Sequence, residues 1–349
     1  MVHKVAIIIP TKNRADFLIR QLKYYASVKS KHPIYIGDSS NRKNKKKILQ
    51  EINYLRKKIN INYLYFPKKN GTQVIEAVSK KVREKYCAYN GDDDFLIPKS
   101  LSKCANFLDK NKTFRTAQGL ALIFSLKKKN NAVYGEFNWL DRYTKNPQAL
   151  NNSAKKRFIN LIKNYWVCEP SVHRHKEWIE DIKNIEKIND YNFAEYKRCF
   201  ATITNGKSKY IDCLYLLRQA HDNRHILPHY NIIKNSKWKN SYRIFNYSIA
   251  KILNKKDGLE LDIAKKIVDK YFKIYILPKH KFSINKVSKK NSFKHYLQKK
   301  IPYKTIDIFR KVKNTITMSN KPILFDLTKK YSKYYNDFFP LYVRITKRD

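Results

Sequence analysis

The chain has 349 residues, of which 42% are hydrophobic, with 7 glycines and 11 prolines; this excludes a disordered or fibrous protein and allows one large domain or two smaller ones. Its 75 Lys and Arg against 28 Asp and Glu give a formal charge of +47, which points to an anionic surface or polymer as partner, or to a Lys-, Asn- and Ile-rich composition of the kind AT-rich codons produce. Five cysteines with no CxxC spacing fit a reduced cytoplasmic interior, and the opening apolar run Val5–Ile9 is too short for a signal peptide or a membrane span.

In chain order, Val5–Ile9 reads as a buried parallel strand ending at Pro10. Arg14–Ala26 has helical spacing in Phe17, Leu18, Leu22 and Tyr25. Pro33–Gly37 is a second strand ending at Asp38, and Lys45–Lys58 a second helix with Ile48, Ile52 and Leu55 on one face. Ile61–Phe66 alternates as a third strand. Thr72–Glu84 is a third helix, and Tyr86–Tyr89 a fourth strand that runs into Asp92-Asp93-Asp94. Such alternation predicts a mostly parallel, doubly wound α/β sheet, whose ligands sit at the carboxyl ends of the strands.

Further on, a helix is expected from Pro98 to about Lys110, strands at Ala117–Leu126 and Ala132–Phe137, and helices at Ala154–Asn164, His173–Ile188 and Tyr191–Ile203. Lys209–Leu217 reads as a last strand. Beyond about residue 230 the chain turns Lys- and aromatic-rich with helical periodicity in Ile244–Leu253 and Leu261–Tyr275. The expected division is a catalytic domain over 1–230 and a basic, mainly helical region over 231–349.

The polar residues after the strands carry the chemistry. Three adjacent carboxylates repel one another unless a cation screens them. Asp92, Asp93 and Asp94 therefore suggest a hard divalent metal, Mn2+ or Mg2+, shared with a diphosphate; the plain alternative is a solvated acidic turn. Asp38 can accept a hydrogen bond from a base or a ribose, or close an Asx turn. Arg14 can meet phosphate, while Thr11 or Asn13 can cap the first helix.

Taken together, these segments resemble a known family. Ile7-Ile8-Ile9-Pro10-Thr11-Lys12-Asn13-Arg14, Ile36-Gly37-Asp38-Ser39-Ser40 and Asn90-Gly91-Asp92-Asp93-Asp94-Phe95-Leu96-Ile97-Pro98 resemble the first-strand, second-strand acid and DxD motifs of the family-2-like glycosyltransferases of GT-A fold. They occur in the family's order, and the bacterial subgroup nearest in character is poorly characterised. The resemblance implies a Rossmann-like GT-A domain, a nucleoside diphosphate sugar donor, and a glycan or lipid-linked acceptor. It implies that Asp38 contacts the base, that Thr11, Arg14, Asp92 and Asp93 hold the nucleotide sugar, and that Asp92 and Asp94 flank the metal. The family often has an acid at the position of Gly91, which leaves open which aspartate holds the metal.

Inverting transfer also needs a general base for the acceptor hydroxyl. By resemblance this is an acid near the start of a downstream helix: Glu195, with Asp190 as runner-up and natural N-cap. A histidine on the metal, as in some GT-A enzymes, corresponds to His221, with Arg218 or Arg224 on the diphosphate. Lipid-linked acceptors suggest peripheral contact with an anionic inner-membrane face, through Phe245, Ile249, Ile252 and Leu253 beside Lys251, Lys255 and Lys256. The alternatives are a nucleotidyltransferase, which wants a glycine-rich loop where Thr11–Arg14 stands, and a basic nucleic-acid- or polyanion-binding protein. Three aspartates at a ligand edge argue against the latter. P-loop, GxGxxG and GxSxG motifs are absent.

Overall fold

The computed structural model describes residues 3–127, 132–144, 147–188, 190–221, 238–276 and 327–347. The first half follows the predicted alternation: β1 (Val5–Thr11), α1 (Ala15–Ser27), β2 (Ile34–Asp38), α2 (Arg42–Leu55), β3 (Ile61–Tyr65), α3 (Gly71–Ser79) and β4 (Tyr86–Tyr89). Then come β5 (Phe95–Leu96), α4 (Pro98–Lys110), β6 (Phe114–Leu126), β7 (Phe137–Arg142), α5 (Ala154–Lys163), β8 (Val172–Arg174), α6 (His175–Ile182), α7 (Tyr191–Asn205) and β9 (Lys207–Gln219). Three helices follow: α8 (Trp238–Asp257), α9 (Leu261–Tyr275) and α10 (Tyr335–Thr346).

The strands form one sheet in the order β3-β2-β1-β4-β8-β6-β9-β5, with β7 paired to β6. β3, β2, β1 and β4 are parallel neighbours, and the long β6–β9 ladder is parallel too. Among the described strands, β5, β7 and β8 pair antiparallel, and an isolated antiparallel bridge joins Ala149 to Ser208 of β9. The chain leaves β1 toward β2 on one side and returns to β4 on the other, so a switch point opens at the carboxyl end of β1.

The period of two along β1 divides the core. Val5, Ile7 and Ile9 face one cluster with Leu18, Leu22, Ile48 and Leu101. Ala6 and Ile8 face the other, with Val74, Val78, Phe158, Phe193 and Phe200. Helices thus cover both faces, as an unbroken apolar β1 requires.

Several elements depart from the predicted ones. The single helix expected over His173–Ile188 is split into β8, α6 and a 3-10 turn at Ile185–Lys187, because Asn184 adopts a left-handed φ of 61° that ends the helix. α3 stops at Ser79. The strand expected at Ala132–Phe137 lies later, as β7. β5 has only two residues and went unpredicted.

Three of the four residues in the apolar stripe of α8 pack inside the protein, and Ile252 is half-buried. Phe245, Ile249 and Leu253 are buried against α7 and α9, where the Phe245 ring meets Phe193, Phe200 and Phe272. α10 closes the opposite face through Phe338, Leu341 and Ile345. The boundary expected near residue 230 lies outside the described residues. No described helix is long and apolar enough to cross a membrane.

Gly37, just before Asp38, lets α3 approach β2: a Cβ there would meet Val74 and would lie 2.5 Å from Val78. Gly37→Val is expected to lower stability by about 1–3 kcal/mol through overpacking, read as an earlier urea midpoint. Gly71→Ala, at a helix position with open space around it, is expected to leave the midpoint unchanged or raise it slightly.

Candidate active site at the carboxyl edge of the sheet

Register brings the strand-end residues into line. Thr11 pairs across from Asp38, and Asp38 from Tyr65. Asp38 is buried, and both its oxygens are engaged: Ser40 N–H donates to Oδ1 at 2.7 Å and Tyr63 O–H to Oδ2 at 2.6 Å. The Asx turn is therefore present, and with Tyr63 it fixes the orientation of the Asp38 carboxylate. Tyr65 reaches the Ser40 carbonyl at 3.1 Å, and the Lys45 ammonium lies 3.8 Å from its ring centre. Asn13 does not cap α1. It takes a left-handed φ of 56° and accepts from Asn41 N–H at 2.9 Å, while its own N–H donates to Ser40 Oγ at 2.7 Å. The loops after β1 and β2 are thereby stitched together.

The acidic loop after β4 is held from beneath by α1. Gln21 donates to the carbonyls of Gly91, at 2.7 Å, and Asp94. The fully buried Arg20 donates to the Asp93 carbonyl at 3.1 Å and to Gln219 at 2.8 Å, with its guanidinium 4.8 Å from the Phe95 ring centre. Asn90 bonds the Tyr25 hydroxyl at 3.2 Å. A side chain at Gly91 would displace the Asp93 carboxylate, since its Cβ would lie 2.6 Å from Asp93 Oδ1.

The three aspartates point in different directions. Asp92 accepts from Thr11 Oγ1 at 2.7 Å and lies 3.2 Å from Arg14 Nη2. Asp93 meets Arg14 Nη2 at 2.5 Å and His221 Nε2 at 2.7 Å. Asp94 is turned away from both, to Arg218 Nε at 2.9 Å and Gln219 N–H at 3.2 Å. His221 stacks on Phe17 with ring centres 4.8 Å apart. Burial pushes the Asp92 carboxyl up to about 7 against the pull of Arg14. Burial acts the same way on Asp93, but His221 and Arg14 outweigh it and hold that carboxyl well below the usual range.

Thr11, Arg14, Asp92, Asp93 and His221 thus come together as the sequence suggests, while Asp94 does not join them. Among the described residues no three acidic, His or Cys side chains stand as a ready ligand set. Arg14 Nη2 itself lies between Asp92, Asp93 and His221, 3.3 Å from the imidazole nitrogen.

Next to this loop is a second polar group that sequence reading missed. Glu169 pairs with Arg198, both almost fully buried, and Arg198 Nη1 and Nη2 have no protein hydrogen bond. Tyr89, at the end of β4, lies within the electrostatic reach of Glu169, Arg198 and Asp93. Burial pushes Glu169 up to about 7. The available signal was an acid in the apolar segment Trp166-Val167-Cys168-Glu169-Pro170. Glu195 accepts from Tyr165 O–H at 2.8 Å. Its neighbours on α7 bond elsewhere: Lys197 to the carbonyls of Asp181 and Lys183, Arg198 to Glu169. Asp190 caps α7, accepting from Phe193 N–H at 3.0 Å. All five cysteines are free and buried.

Residues 6–154 match the family described as Glycosyl transferase family 2. No curated protein matches the chain in sequence. Solved structures of similar fold include S. aureus TarS 1-349 in complex with UDP-GlcNAc, at 15% identity and a TM-score of 0.50, covering 77% of this chain and 71% of that one. S. aureus TarS 1-349 alone gives 16% identity and a TM-score of 0.49, over 83% and 75% of the two chains. A longer TarS structure gives 14% and 0.48 over 77% of this chain, which spans only 42% of its length. The sheet and its flanking helices are thus a GT-A fold.

The Glu169 carboxyl is raised from its ordinary value, so its contribution to stability is full below about pH 4.5 and is lost as pH rises through about 7. Glutamine does not titrate. The Tm gap between the native protein and Glu169→Gln is therefore expected to be widest near pH 5 and to narrow toward pH 8, as differential scanning fluorimetry across that range will show.

Proposed function

We propose, with the glycosyltransferase family 2 domain of residues 6–154 as premise, that this chain transfers a sugar from a nucleoside diphosphate sugar to a hydroxyl of a glycan or lipid-linked acceptor, with inversion. The observation that carries the reading is the buried acidic loop at the β1/β4 switch point, paired with Arg14 and Arg218 and in contact with His221, which come from distant parts of the chain. Asp38, its oxygens pre-oriented by Ser40 and Tyr63, is suited to accept from a nucleobase N–H. The UDP-GlcNAc bound by the TarS structure makes UDP-sugars the first donors to test.

The divalent metal that the resemblance implies finds no fitting set: among the described residues no three acidic, His or Cys side chains are arranged to hold one, Arg14 Nη2 stands between Asp92, Asp93 and His221, and Arg218 and the Gln219 N–H satisfy Asp94. In this reading the charge that develops on the departing diphosphate is met by arginines. Arg14 would hold phosphate oxygens, and Arg218 would keep the acidic loop anchored to β9.

Glu195 is the base of this reading. It is half-buried and held by Tyr165, and it lies within the electrostatic reach of Arg218, which binds Asp94. The acceptor hydroxyl gives its proton to the Glu195 carboxylate as the new glycosidic bond forms and the donor's sugar–phosphate bond breaks. Asp190 keeps its structural place as a cap. Contact with an anionic membrane would rest on exposed lysines such as Lys43, Lys46 and Lys251, since the apolar stripe is covered.

A screen of UDP- and GDP-sugars with Mn2+, reading release of the nucleoside diphosphate, tests the activity; no release from any donor would exclude it. Glu195→Gln is expected to lower the transfer rate by about 10²–10⁴-fold with donor affinity nearly unchanged. An Asp190→Asn protein that folds and is dead, beside an active Glu195→Gln, would move the base to Asp190.

A further inference from the structure

We infer, on the premise of the donor chemistry proposed above, that this chain binds its nucleoside diphosphate sugar and transfers from it without a divalent ion, Arg14 being the fixed cation that meets the diphosphate. The aspartates then serve to hold an arginine rather than a metal.

Arg14 Nη2 lies 2.5 Å from Asp93 Oδ2, 3.2 Å from Asp92 Oδ1 and 3.3 Å from His221 Nε2. One guanidinium nitrogen thus takes an oxygen of each aspartate and the imidazole beside them, and Asp94 is engaged by Arg218 and the Gln219 N–H. Arg14 is also anchored through its backbone. Its carbonyl accepts the first hydrogen bonds of α1, from Phe17 N–H at 3.1 Å and Leu18 N–H at 3.2 Å. Its guanidinium carbon is 4.9 Å from the Phe17 ring centre, and His221 stacks on the same ring. Helix, ring and carboxylates together make its charge a standing part of the site.

The charges of the loop are balanced by side chains. Arg14 faces Asp92 and Asp93, Arg218 faces Asp94, and Arg20 lies beneath the loop within electrostatic reach of Asp93 and Asp94. Nearby Glu169 has its own cation in Arg198. A dication placed among these aspartates would bring two further positive charges against Arg14 in a buried, poorly screened site. A diphosphate instead brings negative charge and acceptor oxygens. Arg14 Nε is buried without a protein hydrogen bond, so it remains a donor beyond the one that holds the aspartates. A guanidinium presents its N–H groups in one rigid plane, and can hold carboxylates through one nitrogen and phosphate oxygen through another. As the sugar–phosphate bond breaks, its electron pair passes to the diphosphate oxygen, where a cation already in place meets the developing charge. The acceptor proton goes to Glu195, as above.

The test is isothermal titration calorimetry of UDP and GDP against the full native chain, once in EDTA and once with Mn2+. At least one nucleotide is expected to bind, with a Kd in EDTA within about threefold of that in Mn2+. A larger gain from Mn2+ overturns the inference and leaves the donor reading standing, whereas no binding of either nucleotide in either buffer removes both. The donor-sugar screen repeated in EDTA is expected to give the same nucleoside diphosphate release, and release confined to Mn2+ overturns the inference as well. Arg14→Gln, its fold checked by thermal unfolding, is expected to bind the nucleotide about 10- to 100-fold more weakly in EDTA, as the loss of a charge-assisted contact does; native affinity in that variant refutes the role of Arg14. Asp93→Asn removes an anchor of the arginine and is expected to change affinity by the same factor in both buffers. A change confined to the Mn2+ buffer would assign Asp93 to an ion and refute the inference. If neither variant folds, the two-buffer comparison on the native chain decides.

Discussion

Three adjacent carboxylates buried at one sheet edge are the constraint to which the rest of the site answers. Each would cost several kcal/mol if left unpaired, and the fold brings a cation or a hydrogen-bond donor to every one. Arg14 arrives from the loop after β1 to meet Asp92 and Asp93, His221 from beyond β9 to meet Asp93, and Arg218 from β9 to meet Asp94. Residues more than a hundred positions apart are therefore locked together by electrostatics. β9 has to run alongside β6 for this to happen, because Arg218 sits in that ladder opposite Ile123.

The backbone of the loop is secured independently of its charges. Arg20, Gln21 and Tyr25 of α1 bind its carbonyls or its Asn90 side chain from below. An arginine so deeply buried is itself expensive. Burial lowers its pKa to about 10, and its contacts with Phe17 and Phe95 offset part of that cost. The backbone of the loop is thus fixed by neutral and cationic donors from α1, separately from the partners of its carboxylates.

The C-terminal helices belong to the same body as the sheet. α8 and α9 pack in the core that holds α5 and α7, and α10 covers the α1 side. Several of their aromatic residues, Phe245, Phe272 and Phe338 among them, are buried in that packing. The lysines remain outside, where an amphipathic helix keeps its polar face. The charge of the chain and the burial of its apolar stripes are thus separate facts with separate consequences.

What the sequence alone determined was the order of strands and helices through β4, and the presence of Thr11, Arg14, Asp38 and the aspartates at the carboxyl edge of the sheet. These follow from local rules: β-branched runs, helical spacing and polar residues at strand ends. Tertiary structure alone decided which aspartate faces which partner. Side-chain direction in a tight loop depends on the cations that reach it, and those come from β9 and from the loop after β1. It also decided that Asp93 rather than Asp94 joins Asp92 and His221, that Tyr63 orients Asp38, and that Glu169 is buried against Arg198. Each is a pairing between residues distant in sequence, and periodicity carries no record of such pairings. The stripe on α8 shows the same limit: its spacing specifies an apolar face, while only the packed fold shows that the face meets protein.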